Sequence, residues 1–185
     1  MLARAFSADP PFHWVLRDPA TREDRLTALF AMALVGVFLP KGEVHATEDL
    51  SGAALWEPRP DPAAGEDAPG ELGDALTAAG YLAEEVDRML TYLGLMHDVH
   101  PDDPPHWYLG ILGVDLTRQG QGIGSACMRP VLERADAEGL PCYLDSSNLK
   151  NVPLYERHGF RVVRVVDLPD GGPPFWSMWR DPRPT

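Results

Sequence analysis

The sequence predicts an α+β fold of α/β/α layering, a sheet flanked by helices, on three observations. First, the short apolar run HWYLGILGVD leads into a glycine-rich turn and a helical pattern, and then into a second apolar run, LPCYLDSS. A strand–helix–strand unit of this kind sets its two strands parallel. Second, GEVHATEDLSGAALWEP and FRVVRVVDLPDGGPPFWSMWRD each read as two short strands around a turn, so hairpins supply the antiparallel part. Third, helical periodicity covers most of the remaining N-terminal half.

Each element follows from its residues. LARAFSADPPFHW opens as a helix that ends before Pro10 and Pro11. A longer helix fits Thr21 to Leu39, with Leu26, Leu29, Phe30, Ala33, Leu34 and Val37 on one face. Strands are expected at Glu43–Thr47 and Ala53–Trp56. Pro58 to Gly70, rich in Pro, Ala and acidic residues, reads as a surface loop. Helical pattern returns from Glu71 to Met96 with a break near Gly80, and the turn HPDDPP precedes the central strand. Asn151 to His158 suits a short helix closed by Gly159.

A chain of 185 residues with 44% hydrophobic residues makes one domain, 1–185, with a sizeable core. No apolar run reaches the ~18 residues of a membrane span. The N-terminus lacks a basic start and a small-residue cleavage site, so a cytoplasmic location is expected. Cys127 and Cys142 have neither metal-ligand nor redox spacing and read as small buried hydrophobes in a reduced compartment. A net charge of −12 argues against nucleic acid and anionic membranes as partners and is compatible with a cationic substrate. His97, His100 and His106 lack a supporting carboxylate pattern, so no metal site is expected.

The stretch RQGQGIGS carries the chemistry. A strand ending at Asp115, a glycine turn and a helix from about Gly122 expose the free N–H groups of the helix's first turn to an anion. The triphosphate loop fails here, because Gly124 is followed by Ser125 and Ala126 instead of Lys and Ser or Thr. The dinucleotide fingerprint fails at its third glycine, where Ser125 stands. Gln119-Gly120-Gln121-Gly122-Ile123-Gly124 fits a third pattern, Gln/Arg-x-x-Gly-x-Gly/Ala.

That pattern resembles the acetyl-CoA pyrophosphate loop of the GNAT N-acetyltransferases. The strand Ile111–Val114 resembles the family's central strand, and Asn148, Tyr155, Gly159 and Phe160 match its second motif. HWYLGILGV, QGQGIGS, LERADAEGLPCYLDSS, NVPLYERHGF and FWSMWR together are similar to the puromycin N-acetyltransferase-like branch. The resemblance implies a mixed, mostly antiparallel sheet with a splayed parallel pair, and an acetyl-CoA-binding core over about 106–168. The family's first edge strand has no counterpart before Met1, which leaves the strand near Glu43 as an edge.

The resemblance also implies roles. Acetyl-CoA, as cosubstrate, is expected to lie against Leu112, Gly113, Val114, Gln119, Gly120, Gln121, Gly122, Ile123, Gly124, Ser125, Asn148 and Tyr155. The backbone at Leu112–Val114 would hold the thioester carbonyl, with Gly113 suited to a bulge. Tyr155 matches the general acid. The amine must lose a proton, and His106, Glu43, Glu48 and Asp145 remain candidate bases beside water. Asn148 is expected to reach the pantetheine or cap a helix, with Asn151 as the plainer N-cap. Phe12, His13, Trp14 and Trp56 are candidates to line the acceptor cleft. The expected partner is a small-molecule amine, an antibiotic or metabolite. A protein amine and a non-catalytic CoA-sensing module are the alternatives, and a homodimer is a further expectation.

Overall fold

The computed structural model describes residues 1–59 and 69–183. The expected loop therefore lies, over residues 60–68, outside the described residues. Six strands form one sheet in the order β1-β2-β3-β4-β6-β5. They are β1 (Glu43–Ala46), β2 (Gly52–Arg59), β3 (His106–Val114), β4 (Cys142–Ser146), β5 (Arg161–Asp167) and β6 (Pro174–Arg180). Every neighbouring pair is antiparallel except β3 and β4, which run parallel as the strand–helix–strand reading requires. β1 is an edge, and no strand precedes it among the described residues.

Helices cover both faces. On one lie α7 (Ile123–Glu138) and α8 (Val152–Arg157), which pack Cys127, Met128, Val131 and Tyr155 against Trp56, Trp107, Leu109 and Leu144. On the other lie α1 (Leu2–Phe6), α2 (Pro10–Val15), α3 (Pro19–Ala33), α4 (Leu39–Lys41), α5 (Pro69–Ala78) and α6 (Ala83–Val99). Their core joins Phe12, Leu26, Phe30, Met89 and Tyr92 to Phe175. No helix among the described residues is long and apolar enough to cross a membrane.

Two helical expectations are corrected. Pro10 does not merely end a helix. It opens α2, because proline at the first helical position gives up an N–H that would be unpaired anyway. Asp9 thereby becomes the N-cap residue at the break between α1 and α2. The long helix starts at Pro19, with Asp18 accepting from the Ala20 N–H at 2.9 Å, and runs through a wider π-turn at Leu34–Phe38 into α4.

β3 is bulged, and the bulge sets up the site. Leu55 of β2 faces Ile111 while Trp56 faces Leu109, so Gly110 is the extra residue. A Cβ on Gly110 would stand 2.6 Å from the Phe38 ring. The bulge expected at Gly113 is thus displaced. Gly113 pairs in register with Ala53, and its missing side chain makes room for Leu2, whose Cδ2 would stand 2.5 Å from a Cβ.

Candidate active site

The parallel pair is short. Trp107, Tyr108 and Leu109 meet Cys142, Tyr143 and Leu144, and beyond them β3 continues without β4. This is a splay, and the bulge determines what it exposes. Successive strand residues turn their N–H and C=O to opposite sides. The Trp107 N–H donates to Pro141 at the head of β4, so Trp107 and Leu109 face β4. The Asp115 N–H donates to Ser51, so Asp115 and Gly113 face β2. Leu112 and Val114 therefore turn into the gap. Of the expected Leu112–Val114 triple, only the outer two offer their backbone there. Gln119 already donates to the Val114 carbonyl at 3.3 Å.

The glycine turn follows. Gly120 and Gly122 have φ of +77° and +81°, which a side chain would strain. Gly122 is the N-cap of α7, makes no side-chain cap bond, and has no acidic residue after it in the first turn. The N–H groups of Ile123, Gly124 and Ser125 point outward with the positive end of a sixteen-residue helix behind them. Gly124 differs: a Cβ there would meet nothing nearer than 3.6 Å, an ordinary contact. Gln121 is engaged by Arg118, whose Nε donates to its side-chain oxygen at 3.2 Å. The hydroxyl of Ser125 and the Nε2 of His158 lie 2.8 Å apart. From this turn a cavity of about 350 Å³ runs beside α7, lined by Gly122, Ser125, Arg129, His158, Arg180 and Arg183.

Tyr155 of α8 belongs to the core cluster against which Leu112 and Ile123 pack. It is buried, edge-on to Phe160 at 6.1 Å. Burial first, and the charge of Asp9 second, raise its phenol above the ordinary range. Asn148 follows β4, and its side chain accepts from the Lys150 N–H at 3.1 Å. It thereby caps the 3-10 turn Leu149–Asn151, while Asn151 stands at the N-cap position of α8, as expected, without a side-chain cap bond.

The base candidates separate cleanly. His106 sits at the paired start of β3, before the splay, packed among His100, Tyr143 and Trp179. Its Nδ1 donates to the Pro104 carbonyl at 2.8 Å, and its Nε2 meets the His100 Nε2 at 3.0 Å. Both nitrogens are engaged, and burial lowers its pKa. The base role expected of His106 thus gives way to a packed histidine. Glu43 forms a two-pronged pair with Arg134 of α7. Glu48 is exposed at the hairpin tip. Asp145 alone stands beside the splay. Its Oδ1 accepts from Tyr143 at 2.8 Å and Ser177 at 2.7 Å, and its Oδ2 is buried without a partner. Burial pushes its carboxyl up to about 6, against the lowering effect of those two donors.

One residue gave no signal in the sequence. Asp9, only 6% exposed, has a buried Oδ2 with no partner. Burial pushes it up to about 6, while the Ser147 and Asn148 side chains pull it back in part. Locally it is only a residue before two prolines. Its contact with the end of β4 arises from the fold. The expected cleft aromatics divide as well. Phe12 and Trp14 belong to the α1–α6 face, Trp56 is in the α7 core, and His13 is exposed against the Ser7 carbonyl at 2.8 Å.

The sequence pattern of the Acetyltransferase (GNAT) family matches residues 47–160, from the β1–β2 turn through the glycine turn to Phe160. The chain belongs to the GNAT family. A GNAT-like stretch of 82 residues is 39% identical to an uncharacterized N-acetyltransferase of Schizosaccharomyces pombe, covering 42% of this chain and 33% of that protein. The chain thus spans about a third of that relative's length. In structure it is similar to a Corynebacterium glutamicum protein described as histone acetyltransferase HPA2 and related acetyltransferase. That likeness has a TM-score of 0.70 and 27% identity, over 100% of this chain and 88% of the other. The Aedes aegypti arylalkylamine N-acetyltransferase 2 shares the fold, with a TM-score of 0.63 at 14% identity over 98% and 91% of the two chains. GNAT acetyltransferases use acetyl-CoA. The donor set here fits that molecule: outward N–H groups and positive-φ glycines for a pyrophosphate, and unpaired strand backbone for an amide-bearing arm. No group of three metal-ligating side chains occurs among the described residues.

Proposed function

We propose that this GNAT chain transfers an acetyl group from acetyl-CoA to the primary amine of a small molecule. The observation that carries the reading is one juxtaposition. The glycine turn follows the splayed end of β3, where Leu112 and Val114 leave backbone open, and Tyr155 belongs to the buried cluster against which Leu112 and Ile123 pack.

Bound acetyl-CoA supplies an activated thioester. The first-turn N–H groups of Ile123, Gly124 and Ser125 would hold its pyrophosphate, with Gly120 and Gly122 allowing close approach. Arg129 and Arg183 on the cavity wall supply positive charge for its further phosphate. The backbone of Val114 and Leu112 would pair with its amide arm, and a strand N–H would support charge on the thioester oxygen. Tyr155 holds a proton for the leaving sulfur. Its raised pKa keeps the phenol protonated at neutral pH until a thiolate appears. Asp145 draws a cationic acceptor to the α1–α6 side of the sheet.

The small-molecule reading draws support from where the acidic groups lie. Asp9 is buried and Asp145 half-buried, and both act on Tyr92, whose ring packs against Phe12 and Phe175, whereas a protein substrate needs an open groove. The likeness to the puromycin N-acetyltransferase branch is compatible with an antibiotic or an aminoacyl-nucleoside-like metabolite. The intact glycine turn and Tyr155 speak against a module that only senses CoA.

Calorimetry with acetyl-CoA, followed by thiol release across amine antibiotics, alkylamines, polyamines and peptides, tests the reading. Micromolar binding with turnover on a small amine is expected. Turnover confined to peptides would overturn the small-molecule assignment, and absence of binding would overturn the whole reading.

A further inference from the structure

Asp9 and Asp145 share an unusual condition. Each keeps one carboxyl oxygen buried without a hydrogen-bond partner. Both charges act on the phenol of Tyr92, which is edge-on to Phe12 at 6.2 Å and Phe175 at 6.1 Å. The groups facing Asp9 are Ser147, Asn148, Tyr92 and Tyr155. Those facing Asp145 are Tyr143, Ser177, Tyr92 and Tyr108. Among the described residues, no cationic side chain acts on either carboxyl. Two cations act on the neighbouring phenols instead: Arg59, already paired with Glu57 at 3.2 Å, on Tyr108, and Arg164 on Tyr143.

A buried anion without a counter-charge is costly, and the fold keeps two. A ligand that brings the missing charge recovers that cost. One cation satisfies one carboxylate, and two carboxylates call for two. The surrounding phenol and phenyl rings suit alkylammonium groups, whose positive ends are attracted to ring faces.

We propose that Asp9 and Asp145 form a two-carboxylate receptor for an acceptor with two cationic groups, in class a short alkyl diamine. The reacting ammonium sits at Asp9 and the second at Asp145. The proposal rests on the acetyl-transfer reading. The assignment within the pair follows from their surroundings. Asp9 adjoins Ser147 and Asn148 past the end of β4 and acts on Tyr155. Asp145 is fixed by two donors, which suits an anchor.

The step balances. The ammonium gives one proton to Asp9, and the freed amine's lone pair forms the N–C bond to the acyl carbon. The C–S bond breaks with its electron pair on sulfur, which takes the proton of Tyr155. The phenolate then takes the second N–H proton, and Asp9 returns its own to water. The products are a mono-acetylated cation, free thiol and one proton.

The test compares 1,4-diaminobutane with butylamine on the full chain, by thermal melting without acetyl-CoA and by thiol release with it. The diamine should raise the melting temperature where butylamine does not. It should also exceed butylamine in kcat/KM by about tenfold or more, the size of one charge-assisted contact. In Asp145→Asn the ratio of the two kcat/KM values should fall to about one, whatever the absolute rates. In Asp9→Asn turnover of both amines should fall while acetyl-CoA still binds. Equal kcat/KM for the two amines with no melting shift overturns the receptor and leaves acetyl transfer standing. A preference that survives Asp145→Asn also overturns it. Should a variant fail to fold, the wild-type comparison decides alone. Absent acetyl-CoA binding overturns the underlying reading, and an unshifted melt overturns the receptor independently.

Discussion

Ser177 on β6 donates to Asp145 on β4 at 2.7 Å, across the antiparallel pair in which those two residues lie opposite each other. Tyr143 donates to the same oxygen. Ser177→Ala removes one of two donors to a buried carboxylate. We expect a loss of about 1–2 kcal/mol in urea unfolding near neutral pH, where the carboxylate is charged. The carboxyl should also titrate above its present value of about 6, because a hydrogen bond to the charged form is gone.

The three glycines of the turn should not behave alike. Gly122→Ala places a side chain at φ +81° and should cost about 1–2 kcal/mol while weakening acetyl-CoA binding. Gly124→Ala meets nothing closer than 3.6 Å and lies inside α7, where alanine is favoured by up to about 1 kcal/mol. Melting temperatures and acetyl-CoA titrations of the two variants would separate the conformational demand at Gly122 from the looser demand at Gly124.

Asp9 gives a stability signature with a definite sign. Its carboxyl is raised in the folded state to about 6, from an ordinary 3.8. Its contribution is therefore fully present below the unfolded value and is lost as pH rises through about 6. Asp9→Asn removes a carboxylate that the fold holds charged at a cost. The variant should gain stability over wild type above pH 6 and converge with it below about pH 4. Melting curves from pH 4 to 8 would show this, and a constant offset across the range would contradict it. The rate of thiol release should rise over the same interval, because the carboxylate form accepts the proton.

Glu43 and Arg134 tie the edge strand β1 to α7, and Arg134 also lies over the Trp107 ring at 5.1 Å. Both side chains are partly solvent-exposed, so screening limits the pair's worth. Glu43→Gln should cost under about 1 kcal/mol and leave kcat within about twofold, since each 1.4 kcal/mol of barrier is a factor of ten. A large fall in kcat would return Glu43 to the catalytic account.

Local pattern made the element order, the parallel pair and the glycine turn readable, because each depends on residues close in sequence. Gly120 and Gly122 need positive φ, and β3 needs an apolar run. What was not readable depends on distant packing. Gly110 and Gly113 look alike in sequence, and only the folded chain sets Phe38 of the π-turn against Gly110 and Leu2 of α1 against Gly113, with the bulge at Gly110. His106 is one candidate base among several in sequence, and only the fold brings His100 and the Pro104 carbonyl to its two nitrogens. Asp9 looked like a helix end, and its burial against the end of β4 exists only in the folded chain.

In the proposed reaction the glycine turn holds the acetyl donor while Tyr155 protonates the leaving thiolate. The direct measurement is calorimetric binding of acetyl-CoA and steady-state thiol release in wild type and Tyr155→Phe, using the best amine from the panel. Acetyl-CoA affinity should be nearly equal in the two, with kcat falling roughly 10²–10⁴-fold in Tyr155→Phe, the range of general-acid catalysis. An unchanged kcat would contradict the acid role, and equal loss of binding and turnover would make Tyr155 a structural support of the site instead.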